Sequence, residues 1–124
     1  MKNLMIAVAA TVLFAAPTFG LACEYPERPT LPDGGTAPKE DMIAAQAAVK
    51  AFLAAVDEYL DCIEQEEKDA IAAIDNPDEE TIKRRDELLS KRFDAANEEK
   101  FLFGEKWNQQ VRAYNAQKSG QDSE

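Results

Sequence analysis

Between Pro38 and the C-terminus a single proline, Pro77, breaks an otherwise continuous pattern of apolar residues at alternating steps of three and four. Proline removes a backbone donor and pushes the residue before it out of the helical region, so one long helix is excluded and two helices joined by a tight turn remain. The first stripe runs through Met42, Ala45, Val49, Phe52, Val56, Tyr59 and Ile63, with Leu53, Leu60 and Ile74 widening it on one side. The second runs through Ile82, Leu89, Phe93, Ala96, Phe103, Trp107, Val111 and Tyr114. Each stripe marks one buried helix face. The spacing predicts helix one over 37–75, with Thr36 as its N-cap and Pro38 in its first turn, and helix two over 77–117, with Asn76 as N-cap and Glu79 closing a capping box. Residues 118–124 read as a polar tail that frays. Gly104 interrupts helix two, as a kink or as a point of close approach.

So short a turn makes the helices antiparallel and places residues opposite one another where their numbers sum to about 152. In that register the alanine-rich start of helix one (Ala44, Ala45, Ala47, Ala48, Ala51) meets Phe101, Phe103, Trp107 and Val111. Small against large is what close packing requires. Nearer the turn, Asp57, Asp61, Glu64 and Glu67 face Arg84, Arg85, Lys91 and Arg92, which disfavours other registers.

The N-terminal 37 residues are of a different kind. Met1-Lys2-Asn3, an apolar run of 13 from Leu4 to Ala16 and the breaker Pro17 form the tripartite pattern of an export signal, too short to span a bilayer. Small residues Gly20 and Ala22 favour cleavage after Ala22, with Thr18 and Gly20 offering a second choice, so 1–22 reads as signal peptide and the exported chain is expected to begin at Cys23. Loss of Lys2 leaves 13 basic against 24 acidic side chains, a formal charge of −11. Residues 23–37 carry Pro26, Pro29 and Pro32 and then Asp33-Gly34-Gly35, a composition for an extended arm ending in a turn.

Cys23 and Cys62 are the only cysteines, and an even pair in an oxidising compartment closes a disulfide. Chain lengths agree with that pairing. Cys62 lies 26 residues beyond Thr36, about 39 Å along a helix. The thirteen residues from Cys23 to Thr36 span about 40 Å in a polyproline conformation. The arm then folds back along helix one and lays Tyr25, the prolines and Leu31 over the open side of the two-helix groove. The competing expectation is lipidation: Gly20-Leu21-Ala22-Cys23 partly resembles the lipobox of bacterial lipoproteins, although Gly20 stands where that box has a branched apolar residue. Acylated Cys23 would make the arm a membrane tether and leave Cys62 a free thiol.

Several chemistries are excluded or disfavoured. With no histidine, the commonest general base, the commonest zinc ligand and histidine-containing triads are absent. The acidic balance opposes nucleic acid and anionic membranes, and the basic cluster at Lys83, Arg84, Arg85, Lys91 and Arg92 is broken by Asp86 and Glu87. Glu64, Glu66, Glu67 and Asp69, with Asp78, Glu79 and Glu80 past the turn, lie on helical turns rather than on a calcium-binding loop, and read as a solvated face. No catalytic, metal or cofactor residue is therefore assigned. Phe101, off the stripe and expected exposed, and Tyr114 are the candidates for a partner surface.

Cys23, the Pro-rich arm with Leu31-Pro32-Asp33-Gly34, Met42, Ala45-Gln46, Val49-Lys50 and Tyr59-Leu60-x-Cys62 together resemble an uncharacterised family of small exported proteobacterial proteins. The likeness covers roughly 23–67 and implies a periplasmic or secreted location and a Cys-to-Cys bridge, but no activity. The expectation is an all-α protein: an antiparallel two-helix, coiled-coil-like hairpin with an extended Pro-rich arm tethered by a disulfide. Its expected role is non-enzymatic, through protein–protein contact with an envelope component or with a second copy. The alternatives are an outer-membrane lipoprotein acylated at Cys23, touching membrane only in that case, and a periplasmic chaperone or adaptor with a hydrophobic groove.

Overall fold

A computed structural model describes residues 22–123; the expected export signal lies outside them except for Ala22. Two helices, α1 (Lys39–Ala72) and α2 (Glu79–Gln121), form an antiparallel hairpin, and the segment from Cys23 to Pro38 lies extended along it. The chain is all-α among the described residues, and the arm is tethered by the Cys23–Cys62 disulfide, with Cα atoms 5.8 Å apart.

The helix ends differ from the expected caps. Asp33 captures Thr36: its carbonyl accepts from the Thr36 and Ala37 amides at 3.1 and 2.8 Å, and its carboxylate accepts from Gly35 N–H at 2.9 Å. That turn holds Thr36 away from the helix, and Pro38, extended at φ −72° and ψ 162°, takes the N-cap place without a side-chain bond. Helix α1 ends at Ala72 rather than near 75, its last turn tightening where Ile74 N–H donates to the Ile71 carbonyl at 3.1 Å. Asn76 then turns the chain at a left-handed φ of 56°, the conformation asparagine tolerates best among residues with a Cβ. Asp78, not Asn76, then caps α2, its carboxylate accepting from Thr81 N–H at 2.7 Å. That bond holds the Asp78 carboxyl below its ordinary pKa of 3.8. The polar tail continues α2 to Gln121, with Lys118 against the negative helix end.

The core is a single seam of Val49, Phe52, Val56, Leu60 and Ile63 from α1 with Ala96 and Phe103 from α2, and Val56 and Ile63 are wholly buried. The register follows the predicted sum: Arg85 grips Glu67 through two bonds of 2.6 and 3.1 Å, and Phe52 meets Phe103 edge to face at 4.7 Å. Other parts of the pairing differ. Ala45 alone of the alanine series is buried; Ala44, Ala47 and Ala51 face solvent, and Ala44, Ala45 and Ala48 line a groove with Thr30, Leu31 and Pro32 of the arm. The alanines thus make room for the arm more than for the aromatic residues of α2. The ion pairs across the helices are Glu67–Arg85, Glu66–Arg92 and Asp57–Lys100; Glu66 and Lys100 occupy places expected of Asp61 and Lys91.

Candidate interaction surface

The hairpin has two grooves, and the arm fills one of them from the open end as far as Cys23; beyond it, toward the turn, a hollow of about 560 Å³ lined by Glu66, Arg85, Leu88 and Arg92 remains on the same side. Tyr25 packs edge-on against Tyr59 (5.1 Å) and Phe52 (6.4 Å), Arg28 pairs with Glu99 and stands 6.0 Å from the Phe103 ring, and Gly34 donates to Gln110 Oε1 at 2.8 Å. Gly34 is glycine because the arm touches α2 backbone to backbone. A Cβ there would lie 2.7 Å from the Gln110 carbonyl carbon and 3.1 Å from its Cα, and closer still to the oxygen. At the far end Cys23 N–H donates to Glu66 at 3.3 Å, and the exposed Cys62 closes the bridge. Under this cover the Tyr25 hydroxyl is buried with no hydrogen-bond partner, and burial pushes its pKa above the ordinary 10.0 despite the opposing pull of Arg28.

Nothing covers the second groove among the described residues. At the turn end a hollow of about 530 Å³ is lined by Ile71, Ile82 and Leu89 with Glu64, Glu79 and Asp86 at its rim. At the open end a shallower one of about 240 Å³ is lined by Met42, Ile43, Trp107, Val111 and Tyr114 with Lys39 and Lys118 at its rim. Leu53, Leu89, Phe93, Trp107, Val111 and Tyr114 remain half-buried along this face, and Ile43 and Ile82 are 57% and 40% exposed. Surfaces of this kind that run the length of a domain mark contact sites. The hint in the sequence is the widening of the α1 stripe through Leu53, Leu60 and Ile74, on the side away from the arm.

Of the candidate partner residues, Tyr114 lines this open face, whereas Phe101, 66% exposed, does not. Thirteen residues separate them on one helix, about 20 Å along and roughly 140° around its axis, so the structure does not bring them together. Phe101 stands on the back of α2, flanked by exposed Leu102 on the arm side. The acidic cluster is dispersed into local pairs: Glu64 with Lys68 at 2.8 Å, Glu66 with Arg92 at 3.7 Å, Glu67 with Arg85, and Asp69 with Gln65 at 2.8 Å. Among the described residues no group of three or more cysteine, aspartate and glutamate side chains is placed to hold a metal ion. The chain matches no family model, no curated protein and no solved structure.

Proposed function

We propose that this chain is an exported, non-enzymatic binding module that works in the periplasm or outside the cell by burying the open face of its hairpin against another protein surface. The observation that supports it most is the inequality of the two grooves. One is closed by an arm, an aromatic cluster and a disulfide from its open end to Cys62; the other, among the described residues, has nothing over its apolar side chains at either end. A small hairpin does not need such a face for its own fold, and leaving it bare risks aggregation. Export is supported by the N-terminal pattern and by a bridge of the kind that persists in oxidising compartments. The bridge also weighs against the lipoprotein reading, because it occupies the one sulfur of Cys23 that acylation would use.

A photo-crosslinking residue placed at Ile43 or Ile82 in cells tests the reading, with the same residue at exposed Glu58 as control. Adducts from the first two positions and none from the third are expected; an absence of adducts from either face position would overturn it. The intact mass of the envelope protein, beginning at Cys23 and two hydrogens light, tests the export and the bridge together. A chain that retains residues 1–22, or carries acyl groups on Cys23, would refute that part.

A further inference from the structure

The rim of the open face changes sign half-way along both helices. On α1 the residues that recur every seven positions are Ile43, Lys50, Asp57, Glu64 and Ile71: basic toward the open end and acidic toward the turn. On α2 the matching series is Glu79, Asp86, Phe93, Lys100, Trp107 and Tyr114, with Lys118 beyond, so acid again lies at the turn end and base at the open end. Asp57 and Lys100 meet at the crossover as an ion pair. The hollow at the turn end has Glu64, Glu67, Glu79 and Asp86 about it with Lys68 and Lys83, whereas that at the open end has Lys39 and Lys118 and no acid.

A face of this design is complementary to itself in one orientation. We propose that the partner on the open face is a second copy of this chain, stacked antiparallel about a two-fold axis that crosses the helices at mid-height. This inference rests on the open face being a binding surface, as proposed above. Such an axis lays α1 on α1 and α2 on α2, Lys50 near Glu64 of the second copy, and Lys118 near Glu79 of the second copy. A parallel stack would instead place basic ends on basic ends and acidic on acidic. The result is a four-helix bundle with an arm on each outer side.

Size and shape agree with this occupant. The 34 residues of α1 run about 51 Å. Two helices packed 8–10 Å apart present a face roughly 18 Å wide, so stacking covers on the order of 900 Å² on each copy, against about 800 Å² per partner in a standard interface. Gly104 supplies the second observation. A Cβ there would meet nothing within 4 Å, so the hairpin itself gives no reason for a glycine inside α2. With Lys50 over Glu64 and Lys118 over Glu79, Gly104 lies across from Phe93 of the second copy, a notch opposite a half-buried phenylalanine. The acidic surplus sits elsewhere: Glu40, Glu58, Glu98 and Glu105 are exposed on outward faces.

The test is the molar mass of the mature, disulfide-bonded chain by sedimentation across a range of concentrations. The expected mass is twice that of the chain. Ile43→Asp and Ile82→Asp, both at exposed positions and therefore harmless to the monomer, are expected to weaken association by tenfold or more with unchanged helix content by circular dichroism. Lys50→Glu and Glu64→Lys each weaken it, and the two together in one chain restore it, an outcome that only the antiparallel stack produces. A double variant that is weaker than either single variant would overturn the orientation. A chain that stays monomeric at millimolar concentration overturns the second copy; if Ile43 and Ile82 still cross-link to another protein in cells, the binding face stands with a different occupant, and if they do not, both readings fall.

Discussion

Gly34 offers the sharpest check on how the arm is held. Replacing it with alanine inserts a methyl group where only 2.7 Å separates the new carbon from the Gln110 carbonyl carbon, and 3.1 Å from its Cα. Ordinary contact needs about 3.4 Å or more, and neither neighbour is the end of a flexible side chain, so the arm must lift or the α2 backbone must move. Overpacking of this kind costs roughly 1–3 kcal/mol. The Gly34–Gln110 hydrogen bond of 2.8 Å, worth about 1 kcal/mol, is lost when the arm lifts. The sum is bounded by the docking energy of this part of the arm, because release relieves the clash. The expected loss is therefore about 2 kcal/mol, seen in urea as a midpoint lowered by about 1–2 M at the slope usual for a small domain. Gly120→Ala is the control: a Cβ there meets nothing within 4 Å, and the same substitution is expected to be neutral or slightly stabilising. In a Cys62→Ser background, where the arm's far end is already free, the Gly34 penalty should shrink, since both changes act on one docking equilibrium. Equal stability of Gly34→Ala and the native chain would refute the close backbone contact on which the account of the arm depends.

Three further outcomes are expected. Cys62→Ser opens a loop whose ends are 39 positions apart, and the chain-entropy model puts the loss at about 4 kcal/mol; a loss under about 1 kcal/mol by chemical denaturation would show that the arm is held without its staple. Tyr25 is neutral in both states at low pH, but above pH 10 the unfolded chain ionises first because burial holds the native hydroxyl's pKa higher, so native stability declines as pH rises through that range. Tyr25→Phe removes both this decline and a buried hydroxyl without a partner, and should unfold at a higher temperature than the native protein at pH 10.5; a lower melting point there would contradict the burial argument. At the turn, Asn76→Gly is expected to hold or raise the melting temperature, since φ is 56° there, whereas Asp78→Ala lowers it by uncapping α2; the reverse order would mean that Asn76 is the cap after all.

Much of the architecture is legible without coordinates, because it depends on local rules. Pro77 forbids a continuous helix, the steps of three and four assign a buried face to each half, and the tight turn makes them antiparallel in the register that brings Glu67 to Arg85. The agreement between the length of the arm and the distance from Thr36 to Cys62 is likewise arithmetic on the chain, and the disulfide closes where it predicts. The caps were less legible: Thr36 and Asn76 have the right chemistry, but Asp33 takes the first into a turn and a left-handed backbone removes the second.

What only the tertiary structure decides is the difference between the two grooves. Periodicity shows how wide an apolar stripe is, yet it does not tell which side of the stripe another segment will cover. That depends on Gly34 fitting against Gln110, on Tyr25 entering between Phe52 and Tyr59, and on the alanines that leave the arm its room. Once the arm takes that side, the other is left open, Tyr114 belongs to it and Phe101 does not. The covered and the open face are built from similar residues; packing over a long loop, which no local pattern encodes, sets them apart.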